Sequence, residues 1–173
     1  DPHLMLEGIA IACYACRIRT AFIFIRGEYF HQAQVLENAI KEAYAKGVFG
    51  GNGLLGTNGW KVDCHVHRGA GAYICGEETA LLEALEGKRG WPRIKPPFPA
   101  IEGAFRKPTV VNNVETCANV PHIINRGVDW FKSIGVPPDP NNPRDAGSFG
   151  PKLYCLSGHV NKPGCYEAPC GIT

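Results

Sequence analysis

Along the first part of the chain the hydrophobic positions switch between helical and strand spacing. From Leu4 to Cys16 nearly every position is apolar, which predicts a helix buried on most of its surface despite Gly8. Ala21-Phe-Ile-Phe-Ile25 follows, a continuous run of β-forming residues closed by Arg26-Gly27, the pattern of a strand covered on both faces. His31 to Lys46 returns to helical spacing, with Val35, Leu36, Ala39, Ile40, Ala43 and Tyr44 on one side and Gly47 as the stop. After a glycine-rich connection from Gly47 to Gly59, Val62, Cys64 and Val66 alternate with Asp63, His65 and His67, predicting a second strand over Trp60 to His67. Strand, helix and strand over about forty-five residues make a βαβ unit, and the right-handed crossover rule makes the strands parallel. The fold class is therefore α/β.

Glu77 to Glu86 predicts another helix, with Ala80, Leu81, Leu82, Ala84 and Leu85 inward and Gly87 as its stop. From Gly90 to Pro108 prolines and glycines break every period, so a long irregular segment is expected to cover something. Asn112 with Glu115 has the form of a capping box, opening a helix through about Ile124 that kinks before Pro121. Residues 135–151 are a second irregular stretch rich in Pro, Gly and Asn. Lys152 to Ser157, the turn signal Asn161 to Gly164, and Cys165 to Glu167 then read as a β-hairpin. A domain boundary is placed near 150, between an α/β domain (1–150) and a β segment (151–173).

Composition narrows the function classes. At 45% apolar and 20% charged the chain has the balance of a folded globular protein rather than a disordered one. A net charge of +2, from 18 basic and 16 acidic residues, leaves no electrostatic footprint for nucleic acid or an anionic membrane surface. No apolar run is long enough to insert in a membrane and no signal peptide opens the chain, so a soluble intracellular protein is expected. Eight cysteines invite a disulfide or a metal reading. Without a secretory signal, reduced thiols are the expectation, and Cys13 with Cys16, a single C-x2-C in an apolar helix, is thin support for zinc. Cys165 and Cys170 read as incidental, and His65 and His67 as polar strand positions.

The segment richest in chemistry is Arg68-Gly-Ala-Gly-Ala-Tyr-Ile-Cys-Gly-Glu-Glu-Thr79, between the second strand and the next helix, the junction at which α/β folds bind cofactors. Gly69, Gly71 and Gly76 let a ligand approach the backbone, and the helix start offers unpaired N–H groups. The spacing is not that of the dinucleotide fingerprint, and no lysine follows to make a phosphate loop. From spacing alone, a ligand-binding turn and a plain strand-to-helix turn whose acids complement the helix dipole both remain open.

Gly69 to Leu82, GAGAYICGEETALL, together with Glu86-Gly-Lys-Arg-Gly90, Pro92 to Pro99, Pro108 to Thr116, Ile25 to Tyr29 and Ser157 to Gly164, closely resembles the NADH- and FMN-binding subunit of respiratory complex I. The diaphorase subunits of NAD-linked hydrogenases and formate dehydrogenases share these strings. The resemblance covers essentially the whole chain. It implies a Rossmann-like FMN-binding domain followed by the start of a ubiquitin-like (SLBB) β domain. It also implies hydride transfer from NADH to FMN, then single-electron transfer to iron–sulfur clusters and on to quinone.

Carried over residue by residue, the resemblance implies that Tyr73, Gly76, Glu77 and Glu78 line the cleft for flavin and nicotinamide. Glu78, ahead of Glu77, would accept from ribose hydroxyls and repel the 2′-phosphate of NADPH. Asn112, Asn113 and Thr116 match positions that hold the FMN phosphate and ribityl oxygens. Lys95 and Phe98 match NADH contacts, the ring by stacking on adenine. No residue is assigned as general acid or base, because the cofactors carry the reaction.

The same resemblance implies a glycine-rich segment ahead of residue 1, and beyond residue 173 a helical domain whose cysteines ligate a 4Fe–4S cluster. None of the eight cysteines here lies in that ligand motif, so this chain alone is expected to hold no cluster, to bind FMN poorly and to be inactive. Expected partners are NADH and the other subunits of a respiratory, hydrogenase or formate dehydrogenase complex. The expected location is the cytoplasmic inner face of the membrane, reached through those partners, or the mitochondrial matrix side. A diaphorase in a soluble assembly, a flavin-free scaffold of the same fold and a zinc module on Cys13 and Cys16 are the alternatives.

Overall fold

The computed structural model describes residues 1–50 and 60–172, so the Gly47–Gly59 connection lies mostly outside the described residues. Helix α1 (Pro2–Ala15) is capped by Asp1, whose carboxylate accepts from the His3 and Leu4 N–H groups. Pro2 fills the first helical turn, where its missing N–H costs nothing. The helix starts ahead of Leu4 because the cap, not the hydrophobic run, sets its beginning.

Strand β1 (Thr20–Ile25), helix α2 (Phe30–Ala45) and strand β2 (Asp63–Arg68) form the expected βαβ unit, with β1 and β2 parallel and Thr20 opposite Asp63 through Ile25 opposite Arg68. The Tyr44 hydroxyl ties α2 to β2, donating to Asp63 Oδ1 at 3.2 Å and accepting from Cys64 N–H at 3.1 Å. The core gathers Met5, Leu6, Ile23, Ile40, Phe49 and Val62.

Val35 is exposed, because the buried stripe of α2 runs through Ala33, Ile40 and Ala43, and Val35 falls outside that arc at helical spacing. Nor is β1 equally covered on both faces: Ile23 is 5% exposed and Phe22 43%. Ile23 enters the core, whereas Phe22 and Phe24 lie beside their cross-strand partners His65 and His67, with ring centroids 5.6 and 5.2 Å apart. The two histidines thus belong to an aromatic face rather than a plain polar one.

Beyond β2 come a 3-10 turn (Tyr73–Gly76) and helix α3 (Glu78–Leu85). After the irregular segment comes helix α4 (Val114–Arg126), which continues through Pro121. The side chain that caps it is Asn113 and not Asn112: Asn113 Oδ1 accepts from Glu115 N–H at 2.9 Å. Having no N–H, Pro121 leaves the carbonyl four residues earlier, on Cys117, without its helical donor. That carbonyl lies against Gly8 of α1, where an added Cβ would stand 1.8 Å from the oxygen.

Packing divides the chain into Asp1–Pro121 and His122–Thr173. The second unit holds α5 (Val128–Lys132), the antiparallel pair β3 (Gly135–Val136) and β4 (Ser148–Phe149), and the hairpin β5 (Pro151–Leu156) with β6 (Gly164–Pro169). The division falls ahead of the boundary drawn near 150. Gly150 packs so tightly on the Phe131 ring that a Cβ would reach 2.3 Å from it, and the Gly150 carbonyl accepts from Cys170 N–H, so α5 and the hairpin share one unit. All eight cysteines carry free thiols. Among the described residues, no helix is long and apolar enough to cross a membrane.

Candidate functional site

The site begins where the parallel strands end. β1 runs into Arg26-Gly27 and β2 into Gly69, and the two turns touch: a Cβ on Gly27 would stand 2.3 Å from the Gly69 carbonyl. This contact forces small residues at the carboxyl edge of the sheet, the edge at which α/β folds place ligands. Gly71 has φ +87°, a conformation open to glycine, and turns the chain away from the strand. The resulting cavity of about 250 Å³ is lined by Phe24, Arg26, Gly69, Gly71, Tyr73 and Gly76, among others. Tyr73 is 92% exposed, and an added Cβ on Gly76 would meet nothing within 4 Å, so one wall of the cavity is bare backbone.

Four of the expected residues thus line one cavity. Arg26 also lines it and escaped the sequence reading. Its signal was present in the same rule, since it follows the first parallel strand as Gly69 follows the second.

Glu77, Glu78 and Lys95 form the next cluster. Glu77 caps α3, its Oε2 accepting from Thr79 N–H at 2.8 Å, Ala80 N–H at 2.9 Å and the Thr79 hydroxyl at 2.6 Å. The Thr79 hydroxyl bond, with those backbone donors and Lys95, holds the Glu77 carboxyl down to about 2 against the opposing effect of burial. Lys95 Nζ lies 2.5 Å from Glu78 Oε1 and 3.3 Å from Glu77 Oε1, and the two carboxylates, Glu78 foremost, raise the lysine above its ordinary value. Glu77 is therefore committed to the helix. Glu78, held only by the lysine in these contacts, is the more available acceptor.

What brings Lys95 there is a set of contacts that the sequence reading missed. Arg93 donates from Nε to Glu83 at 2.6 Å, from Nη2 to Glu86 at 2.5 Å and from Nη1 to the Gly103 carbonyl at 2.8 Å, while its N–H donates to the Thr79 hydroxyl oxygen at 2.8 Å. Thr79 is only 1% exposed, and Glu86 also accepts from Phe105 N–H at 2.8 Å. Burial works against ionisation of Glu86, but bonds from Lys88, Arg93 and Phe105 N–H outweigh it and hold the carboxyl at about 2. The irregular segment is thereby strapped onto α3, which is what it covers. Phe98 stands 56% exposed on this strap and lines neither this cavity nor the next.

A second cavity, of about 210 Å³, shares Phe24 and Leu81 with the first and reaches Asn112 at the entry to α4. Asn113 has its Oδ1 engaged in the cap, leaving its amide Nδ2 for a ligand, and Thr116 is exposed one turn on; neither of the two lines this cavity. Cys13 is buried in the core whereas Cys16 is exposed, and among the described residues no three metal-ligating side chains converge. The groups present are cation, carboxylate, amide and bare backbone around an apolar floor, a donor and acceptor set suited to a phosphate-bearing aromatic ligand.

The comparisons with known proteins agree on one family. Over 173 residues the chain is 55% identical to an NADH-quinone oxidoreductase component of Rhizobium meliloti strain 1021, covering all of this chain and 38% of that protein. It is 53% identical over 172 residues to the mitochondrial NADH dehydrogenase (ubiquinone) flavoprotein 1 of Dictyostelium discoideum, covering 99% of this chain and 34% of that one. Among solved structures, an NAD+-reducing NiFe-hydrogenase in the H2-reduced state superposes with a TM-score of 0.79 at 38% identity, over 97% of this chain and 26% of that one. The chain thus spans 34% to 38% of the length of these two curated relatives. Residues 1–122 match the model of the Nuo51 FMN-binding domain, and the chain belongs to that family.

Proposed function

We propose that this chain is the FMN- and NADH-binding part of an electron-input subunit that oxidises NADH and feeds iron–sulfur clusters, and through them quinone. The observation that carries the reading is the cavity at the carboxyl edge of β1 and β2, floored by glycine backbone and flanked by the Glu77, Glu78 and Lys95 cluster. The residues fit a flavin mononucleotide: Gly76 presents an uncovered Cα, Arg26 supplies a cation, and Asn112, Asn113 and Thr116 offer amide and hydroxyl groups at a helix start. When bound, FMN supplies hydride acceptance from NADH and release of electrons one at a time.

The residues of this chain bind and orient. Gly69, Gly71 and Gly76 admit the ring system to the backbone, and Tyr73 flanks it. Glu78 accepts from the ribose hydroxyls of NADH, Lys95 fixes the Glu78 carboxylate and donates to the dinucleotide, and Phe98 stacks on adenine. The full protein works with partner subunits at the inner face of a membrane or on the matrix side, and residues 151–173 begin a ubiquitin-like (SLBB) domain. The structural likeness to the NAD+-reducing hydrogenase supports a second reading, a diaphorase subunit with the same site in a different assembly.

Glu78→Ala tests the assignment in the full-length protein with saturating FMN. A charge-assisted hydrogen bond contributes about 1.5–3 kcal/mol, so kcat/KM for NADH should fall roughly ten-fold or more. The ratio of NADH to NADPH efficiency should fall with it. An unchanged ratio would return Glu78 to a helix-dipole role and pass the assignment to Glu77.

A further inference from the structure

The hairpin of the second unit carries a reactive arrangement of its own. Cys155 of β5 lies directly opposite Cys165 of β6 in the antiparallel register, and their sulfurs are 3.1 Å apart. Both residues are exposed. Directly opposed antiparallel residues hold their Cβ atoms about 4.5–5.5 Å apart, close to the span of a disulfide, and an S–S bond of about 2.05 Å asks the sulfurs to move only about 1 Å closer.

Four of the other six cysteines differ from this pair in burial, and Cys75 is half-buried. Cys13, Cys64, Cys117 and Cys170 are buried, and burial pushes the thiols of Cys13 and Cys64 up to about 11 and about 12. Buried thiols of that kind are inert toward exchange. Cys16 is exposed at the end of α1 and serves as an internal reference for a reachable thiol.

We propose that Cys155 and Cys165 form a reversible dithiol–disulfide site that is oxidised by a low-molecular-weight disulfide of the glutathione type. One cysteine thiolate attacks a sulfur of the small disulfide, forming a mixed disulfide and releasing one small thiol. The second cysteine thiolate attacks the protein sulfur of that mixed disulfide and releases the other small thiol. Two electrons pass from the cysteine sulfurs to the small disulfide, and their two protons end on the two small thiols. The product is a covalent rung between β5 and β6, which fixes the hairpin register in oxidising conditions and frees it on reduction.

The test equilibrates the reduced full-length protein in buffers of rising oxidised-to-reduced glutathione ratio, followed by acid quenching, alkylation and peptide mapping. The expected result is a linked 155–165 peptide that has lost two hydrogens and two alkylatable thiols, with no glutathione on either cysteine, while Cys16 gains a mixed disulfide. In Cys155→Ser the link disappears and Cys165 carries glutathione instead. Hydrogen exchange on the wild type gives a readout that needs no variant: amides of residues 151–169 should slow on oxidation and recover on reduction. Wild-type protein in which Cys155 and Cys165 stay alkylatable, or carry separate adducts, at a ratio that already modifies Cys16 would overturn the proposal.

Discussion

At the scale of single residues, the cavity wall at Gly76 offers the cleanest separation of fold from binding. Its φ is not in the left-handed region and an added Cβ would meet nothing within 4 Å, so Gly76→Ala should leave stability within about 0.5 kcal/mol. The same methyl group would project toward the space assigned to the ligand. We expect FMN or NADH affinity to drop ten-fold or more at an unchanged melting temperature, measured by equilibrium titration and calorimetry on the full-length protein. Unchanged affinity would remove Gly76 from the site. The shared strings singled out Gly76, Glu78 and Lys95 as candidates. Arg93 was not, because its partners Glu83, Glu86, Thr79 and Gly103 are scattered on either side of it and no spacing rule joins them. The capping residue was misread by one position because Asn112 and Asn113 both satisfy the cap preference, and only geometry chooses between them.

At the scale of elements, the strap over α3 has a pH signature. The Glu77 and Glu86 carboxyls each sit at about 2 in the folded protein against an ordinary value of 4.5. Between those values the unfolded chain binds more protons than the native one, so this contribution to stability is fully present above about pH 4.5 and is lost as pH falls toward about 2. Hydrogen exchange of residues 77–107 should accelerate across that window relative to α2. A strap whose protection is unchanged down to pH 2.5 would show that these carboxylates do not hold it.

The contact of α1 with α4 gives a second prediction at this scale. Gly8→Ala would drive a methyl group into the Cys117 carbonyl, which is backbone and cannot swing aside, so a loss of about 3 kcal/mol or more is expected in denaturant unfolding. A loss below about 0.5 kcal/mol would mean that the helices do not approach so closely. Periodicity located α1, α2, α3, β1 and β2, since their apolar spacing is set by burial within the unit. It could not reveal why Gly8 stands in a helix, because the reason is a carbonyl more than a hundred residues away, left without its donor by Pro121.

At the scale of the whole molecule, the α/β class and the parallel pair followed from the order of periods along the chain. The packing division did not, because composition marks irregular backbone whereas cohesion depends on contacts such as Phe131 with Gly150. Short β3 and β4 fell in a segment whose prolines and glycines hide any period, and α5, only 5 residues long, is too short to show one. The function proposed for the molecule rests on a cleft built for a flavin that NADH can reduce. Anaerobic titration of the full-length protein, loaded with FMN, by NADH under continuous visible absorbance tests this most directly. The account predicts a yellow protein whose flavin absorbance bleaches with NADH; a protein that stays colourless after FMN loading, or whose bound flavin NADH leaves oxidised, would contradict it.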